Sequence, residues 1–328
     1  MKAVVIRRSG GPEVLAIEER PSPVLGAGEV RIEVAAAGLN RADVLQRKGF
    51  YPAPPGVAPD VPGLEYAGTI IETGEGVERT RVGDRVMGLV AGGAMAGEIV
   101  APVVETMPIP EDLSLVEAAA IPEAFVTAWD AARIQGGLAG GGTLLVHAVG
   151  SGVGTAAIQL ARACGARSIG TSRSDAKLAR CTALGMDEGI VVPKGEARFA
   201  DRVAASTGGA GADVILDTVG AAYLEENLRA LARRGTLVVI GLLGGATGSL
   251  PMGMLLGKRA RIIGTVLRTR DATEKAVLTA AFARQVLPLF ASAALAPVVG
   301  RIVPMADIAD AHAAMERDET FGKVVLVW

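Results

Sequence analysis

The sequence predicts an α/β protein in which a β-rich first domain is followed by a doubly wound parallel-sheet domain. Three observations carry this. Half of the 328 residues are apolar, yet 3% are aromatic and 43 are glycine, which suits helices packed closely on a buried sheet better than a β-sandwich core. Short β-branched runs broken by Gly, Pro and Asp fill the first third. From about Ala124 apolar strands alternate with helical patterns, the signature of βαβ units. The length fits two domains of about 100–200 residues each.

The elements follow in order. KAVVI, EVRIEVAAAG, YAGTIIETG, DRVMGLV and GEIVAP read as the strands of a compact antiparallel barrel or sandwich. Within it, residues 50–56 form a proline-rich loop, FYPAPPG, that is rigid and not helical. The second domain reads as strand TLLVHAV (143–149), a helix through AAIQLARA, strand RSIGTS (167–172), a helix through DAKLARCTALG and strand GIVV (189–192). ADVILDTV (212–219), a helix around YLEENLRALARR, GTLVVIGLL (235–243) and ARIIGTVL (260–267) continue the alternation. A long helical stretch after Arg270, a strand near GRIVPM and the closing GKVVLVW return the chain to the first domain. The expected division is 1–123, 124–267 and a return segment over 268–328.

Composition excludes several classes. A net charge of −2 without a long run of like charge, and no aromatic-basic cluster, makes nucleic acid an unexpected partner. Two cysteines and two histidines rule out a disulfide framework and leave little for a metal site. MKAVVIRR lacks the apolar core of a signal peptide, and glycines break both uncharged stretches long enough to span a bilayer. A cytoplasmic protein with no membrane contact is expected.

The chemistry-bearing motif is the strand TLLVHAV running into Gly150, Ser151, Gly152, Val153 and Gly154 and then a helix. In a doubly wound sheet this turn lies at the carboxyl edge, where a helix N-terminus aims N–H groups and partial positive charge at a pyrophosphate. The spacing Ala148, Ser151, Gly154 fits as well as GxGxxG. No Walker lysine follows, which disfavours ATP hydrolysis. The second strand ends in Ser172 and Arg173, with Lys177 a helical turn on, where an NAD site would carry an acid. Hydroxyl and cationic groups suit a 2′-phosphate, so NADPH is the expected cofactor. Asp175 reads as a first-turn acid behind an N-capping Ser174. His147, on an apolar strand, reads as a satisfied core histidine. His312 reads as a helical surface residue, and Cys164 and Cys181 as inert.

On these residues and on GGPEVL (10–15), GLNRADVLQRKGFYPAPPG (38–56), PGLEYAG (62–68), VGDRVMGLV (82–90), AAAIPEAFVTAW (118–129), ILDTVG (215–220), LLGKRARIIGTVLRTRD (255–271) and FGKVVL (321–326), the chain resembles a zinc-free medium-chain dehydrogenase/reductase. It is most similar to the zeta-crystallin-like NADPH:quinone oxidoreductases, in the branch of the apoptosis-associated quinone oxidoreductase. The resemblance runs nearly end to end. It implies a GroES-like catalytic domain, a Rossmann domain, a cleft between them and a homodimer.

The places matching the metal ligands of zinc-dependent relatives hold Asn40, Leu64 and, less directly, Glu123. Leucine cannot ligate, so no metal is expected and hydride transfer rests on positioning and hydrogen bonds. The resemblance gives Tyr51 and Asn40 as substrate-polarising candidates, Thr127 as a nicotinamide-side contact, and Gly241, Leu242 and Leu243 as a cofactor-side loop. Each has a plainer reading: Tyr51 as an amphipathic packing residue, Asn40 as a turn residue. Asp43 reads as a local hydrogen-bonding group near the vacated metal pocket.

The leading expectation is an NADPH-dependent quinone oxidoreductase. A 2-enal, enone or enoyl-thioester reductase is the alternative. A third reading, of another class, is an NADPH-binding nucleic-acid-binding or structural crystallin-like protein.

Overall fold

The structure is a computed structural model describing residues 1–328. The chain opens with the hairpin β1 (Lys2–Ile6) and β2 (Leu15–Glu19), then runs through the long β3 (Glu29–Leu39) into α1 (Arg41–Arg47). β4 (Glu65–Thr73), β5 (Arg85–Leu89), β6 (Glu98–Pro102), β7 (Thr106–Pro108) and the one-turn α2 (Leu115–Ala118) follow. Pro122–Val126 and Asp130–Gln135 are π-helical on either side of α3 (Thr127–Trp129). Strands and helices then alternate: β8 (Thr143–Val146), α4 (Gly152–Ala163), β9 (Arg167–Ser172), α5 (Asp175–Ala183), β10 (Glu188–Val191), α6 (Ala200–Ser206), β11 (Ala212–Asp217), α7 (Leu224–Ala230), β12 (Leu231–Val239), α8 (Met252–Lys258) and β13 (Arg261–Gly264). The chain closes with α9 (Ala272–Gln285), α10 (Leu287–Ala291), β14 (Val299–Pro304), α11 (Ile308–Glu316) and β15 (Lys323–Val327).

Two compact units result: Met1–Val126 with Leu267–Trp328, and Thr127–Val266. The change of sequence pattern near residue 123 falls inside a continuous helical run, so the units part three residues further on.

The first unit is organised on β3. Its buried Val30, Ile32 and Val34 alternate with more exposed residues, as a strand with one face in the core requires. β3 pairs antiparallel with β4 along most of its length, with β6 over Glu29–Glu33 and with β15 over Ala36–Leu39. The seven-stranded sheet is ordered β14-β15-β3-β4-β5-β7, and its single parallel pair is β14 with β15. Because β15 pairs antiparallel with the end of β3, Lys323 at its start stands beside the start of α1.

The second unit is a six-stranded parallel sheet ordered β10-β9-β8-β11-β12-β13, the strand order of a doubly wound dinucleotide fold. The order reverses at β8, so the β8–α4 turn lies at the topological switch point. One element differs from its sequence pattern. The helix around YLEENLRALARR ends at Ala230, and Arg233 and Arg234 lie in β12. Leu231 and Ala232 are buried, and Leu231 pairs with Ala212. Burial in the sheet outweighs the helical propensity of this short arginine-rich stretch.

Candidate active site

In the first unit, the end of β3, the start of β4 and the start of β15 bring five polar side chains together. Glu65 is fully buried and Lys323 nearly so, and they form an ion pair. A buried charge is tolerated only when paired and hydrogen-bonded, and here both conditions are met. The Lys323 ammonium also donates to Asn40 Oδ1 at 2.7 Å and to the Leu39 carbonyl at 3.3 Å. Asn40 Nδ2 donates to Glu65 Oε1 at 2.9 Å, and the Glu123 N–H donates to Glu65 Oε2 at 2.8 Å. Asp43 accepts from the N–H groups of Asn40 at 2.8 Å and Gly63 at 3.0 Å, closing the first turn of α1. Asn40 therefore serves both as the turn residue and as a member of a buried polar network.

Tyr51 stands in the proline loop, which forms no helix. The Arg268 guanidinium lies 4.9 Å from the centre of its ring, a cation–π distance. Arg268 also donates to the carbonyls of Ala91 at 2.6 Å, Tyr51 at 3.1 Å and Pro52 at 3.4 Å, and to Gln46 Oε1 at 2.7 Å. Burial holds the Tyr51 phenol above its ordinary pKa, and the Glu123 carboxyl adds to this. Burial raises Asp43 to about 6, against the opposing pull of its two N–H partners. Glu123 is pushed up to about 8, first by burial and then by the Glu65 charge. A small pocket is lined by Leu64, Leu89, Val90, Glu105, Glu123, Arg268, Arg270 and Lys275.

In the second unit, the backbone selects one register of the glycine turn. Ala148, not Gly150, carries the left-handed conformation, at φ 49°. Ser151 is the N-cap of α4, its Oγ accepting the Gly154 N–H at 3.1 Å. A Cβ at Gly154 would lie 2.4 Å from the Val149 carbonyl oxygen, so only glycine allows this helix to approach the strand so closely. Gly152 and Val153 form the first turn of α4, where N–H groups have no intrahelical acceptor. Ser172 ends β9, Arg173 is exposed beside it, and Ser174 caps α5 by accepting the Lys177 N–H. Gly241, Leu242 and Leu243 follow β12 at the same carboxyl edge, and both leucines are 55% exposed. The hydroxyls of Thr127 and Thr218 are buried and make no hydrogen bond.

Beneath this edge runs a buried relay. His147 Nδ1 lies 2.8 Å from Thr171 Oγ1 and its Nε2 lies 2.6 Å from Asn227 Oδ1. Asn227 Nδ2 donates to Asp217 at 3.1 Å, and Asp217 accepts the N–H groups of Val219 and Gly220. Burial lowers the His147 pKa, so the neutral ring serves as a satisfied core histidine. His312 departs from its surface-like pattern. It is fully buried on α11, and neither ring nitrogen has a partner. Its helix packs its inner face on β14, β15 and the end of β3, and His312 falls on that face.

Sequence reasoning did not assign Glu65, Gln46, Lys323, Arg268, Asp217 or Asn227. A signal was present for two of them: Glu65 and Lys323 are charges set at the head of the apolar strands EYAGTII and KVVLV.

Residues 26–111 match the alcohol dehydrogenase GroES-like domain, and residues 152–282 match the family described as zinc-binding dehydrogenase. The chain belongs to the medium-chain dehydrogenase/reductase family and is an oxidoreductase of the nicotinamide-dependent kind. Among individual relatives, it is 32% identical over 314 residues to quinone oxidoreductase-like protein 2 of Mus musculus, covering 95% of this chain and 88% of that protein. It is 39% identical over 232 residues, 71% of this chain, to pikromycin polyketide synthase component PikAII of Streptomyces venezuelae, but spans only 6% of that protein. The Escherichia coli quinone oxidoreductase complexed with NADPH superposes with a TM-score of 0.89 at 28% identity over the whole of both chains. CurK enoyl reductase superposes with a TM-score of 0.87 at 27% identity, covering 99% of this chain and 98% of that one.

The family description raises zinc, and the donor set does not fit it. No group of three His, Cys, Asp or Glu side chains is arranged to hold a metal ion. Leu64 offers no ligand atom, and Asn40 Oδ1 already accepts from the Lys323 ammonium. A dinucleotide does fit. The close backbone approach at Gly154, the open first turn of α4 and the unpartnered hydroxyls of Thr127 and Thr218 are groups a bound nucleotide could engage. No helix is long and apolar enough to cross a membrane.

Proposed function

We propose that the protein is an NADPH-dependent quinone oxidoreductase that works without a metal. The observation that carries this reading is the donor array where zinc relatives keep their metal: Asn40 fixed by Lys323 and Glu65, and Tyr51 held under Arg268. When bound, the reduced nicotinamide supplies a hydride. The chain's own groups have to orient the acceptor and offer hydrogen bonds to the oxygen on which charge develops. The Tyr51 phenol, kept protonated by burial, suits that role, and Asn40, whose Nδ2 hydrogens go to Glu65 Oε1 and the Gly38 carbonyl, is assigned to the site as the residue that braces the network beside it.

Gly150, Ser151, Gly152, Val153 and Gly154 are assigned to the pyrophosphate, and Ser172, Arg173 and Lys177 to the 2′-phosphate, which favours NADPH over NADH. Thr127 and the loop Gly241, Leu242 and Leu243 are assigned to the nicotinamide side. The quinone oxidoreductase relatives support the substrate class. The enoyl reductase neighbour and the polyketide synthase relatives favour a second reading, reduction of an enone or enoyl thioester at the same site.

The protein is proposed to act in the cytoplasm as a homodimer. β13 is an edge strand with Ile262 exposed, and Met252 and Leu256 on α8 are 63% and 81% exposed, a face that suits a second copy. Steady-state NADPH oxidation with a panel of quinones, enones and enoyl thioesters tests the assignment. Tyr51→Phe should lower turnover by about tenfold or more, on the scale of one lost oxyanion donor, without weakening NADPH binding. An unchanged rate would remove Tyr51 from the mechanism.

A further inference from the structure

The partners of the His147 ring fix where each hydrogen of the buried relay lies. Asp217 ends the relay. Both of its oxygens accept N–H groups, Oδ1 from Val219 at 2.7 Å and Oδ2 from Asn227 Nδ2 at 3.1 Å. With its Nδ2 turned to Asp217, Asn227 presents the amide oxygen to His147, so Nε2 carries the hydrogen shared at 2.6 Å. Nδ1 is then bare and accepts the Thr171 hydroxyl at 2.8 Å. All four side chains are buried, where such bonds are strong and not exchanged for water.

The ends of this relay support the two ends of the assigned nucleotide site. Thr171 directly precedes Ser172 and Arg173, and the Ser172 hydroxyl in turn accepts the Ser174 N–H at 3.1 Å. Asp217 holds the loop after β11, which is laced to the loop after β12. The Leu243 N–H binds the Thr218 carbonyl at 3.2 Å, and the Gly244 N–H binds the Val219 carbonyl at 2.7 Å. The registered pairing of β8 with β9 and β11 ends at Val146, so above that rung the relay is the side-chain link between the two flanks. Packing also grips the ring, edge-on to Tyr223 at 4.9 Å and tilted to Phe199 at 4.8 Å. A residue that only fills the core needs the packing and not the two hydrogen bonds.

We infer that His147 is a positioning residue of the nucleotide site, clamping the end of β9 to the loop after β11 and so setting the spacing between the adenosine half and the nicotinamide half. This rests on the NADPH assignment above. A dinucleotide engages both halves through one covalent link, and the gain from the second half depends on that spacing. A fragment that fills one half is indifferent to it.

The test is calorimetric titration of the full-length protein with NADPH and with 2′,5′-ADP, the adenosine half alone. His147→Phe keeps a ring against Tyr223 and Phe199 and loses both hydrogen bonds. It should weaken NADPH by about tenfold or more and leave 2′,5′-ADP within about twofold of the parent. His147→Gln, whose amide can donate to Asn227 and accept from Thr171, should restore part of the difference. Equal losses for the two ligands, or none, would overturn the inference, because a core filler has no means of telling a dinucleotide from its half. Thr171→Val cuts the same link from the β9 side. It should reproduce the selective loss even where His147→Phe fails to fold, and unselective binding by a folded Thr171→Val would count against the clamp in the same way.

A parent protein that binds 2′,5′-ADP no better than 5′-AMP would refute the 2′-phosphate assignment and not the clamp, which the same comparison between NADH and 5′-AMP then decides. Binding of neither dinucleotide would end both. A check without nucleotide comes from the imidazole nitrogen resonances of His147 in isotope-labelled protein. They should show the hydrogen on Nε2, and a hydrogen on Nδ1 would overturn the inference.

Discussion

The Arg268 guanidinium covers the Tyr51 ring at 4.9 Å and donates to the Tyr51 carbonyl at 3.1 Å. The ring and the backbone of one loop residue are thus gripped by a single side chain that is 6% exposed. A loop rich in proline is stiff within itself, but its place on the sheet must come from outside, and here it comes from residue 268. Arg268→Leu should leave the Gln46 amide oxygen and the carbonyls of Ala91 and Tyr51 without their donor. The expected loss is about 2–4 kcal/mol of stability in urea unfolding, together with a raised KM for the acceptor. Unchanged stability would show that the contacts made by Arg268 are replaced by water at no cost.

The 2′-phosphate assignment is tested at Arg173. Its guanidinium lies exposed at the end of β9. Arg173→Ala should weaken NADPH binding by about tenfold, one charge-assisted contact, while NADH binding stays the same. Fluorescence titration with both nucleotides measures the gap directly. Equal affinities before mutation would remove the basis for NADPH.

The buried relay predicts a coupled defect. Asn227→Leu removes the partner of His147 Nε2 and one donor to Asp217, both in the interior. Stranding them should cost about 2–3 kcal/mol and loosen the loop that starts at Val219, which Asp217 also holds. Chemical denaturation and proteolysis after the β11 end would register both effects. Loss of stability without added cleavage there would confine the relay to the core.

His312 gives a pH dependence of definite sign. Burial, with the Arg47 charge second, lowers its pKa to about 3 in the native state. The unfolded chain takes up a proton near its ordinary value of about 6.5 that the native chain refuses. Its contribution to stability is therefore complete above about pH 6.5 and is lost as pH falls toward about 3, with a slope of up to about 1.4 kcal/mol per pH unit. His312→Leu should remove that slope between about pH 6.5 and 5, seen by urea unfolding at each pH. Asp43 acts in the opposite sense. Raised in the fold to about 6, it withdraws stability as pH climbs through the interval from 3.8 upward. The comparison with the His312 variant isolates the histidine.

The proposed homodimer is tested at Leu256. Its side chain is 81% exposed on a helix with no fully buried residue in the single chain. Leu256→Glu should shift the sedimentation velocity profile to the monomer, since a charge in an apolar contact stays unpaired. A parent protein that is already monomeric at high concentration would end the proposal.

Much of the fold was legible because periodicity and glycine turns are local. The alternation of β3 and the strand–glycine–helix of β8 to α4 each lie within about a dozen residues, and the structure carries them as read. The β12 start was not legible. ALARR is helical by propensity, and only the pairing of Leu231 with Ala212 draws it into the sheet. The site divides in the same way. Asn40, Tyr51 and the glycine turn stand in recognisable motifs, but Glu65 and Lys323 are 258 residues apart. No pattern within either segment tells that β15 will lie against β3 and bring them together. His312 was misread for a related reason, since its helix contributes its inner face to a core assembled from distant strands.

Ala148 adopts a left-handed bend that an alanine does not seek by itself. Its neighbours impose it: the Ser151 N–H closes on the Ala148 carbonyl at 2.9 Å, and the Val149 N–H is bound to Thr171 on the adjoining strand at 3.0 Å. The cradle is thus preorganised, already shaped before any ligand arrives. Little ordering entropy would be spent in closing it around a diphosphate, and the binding free energy remains available for discrimination at the ribose.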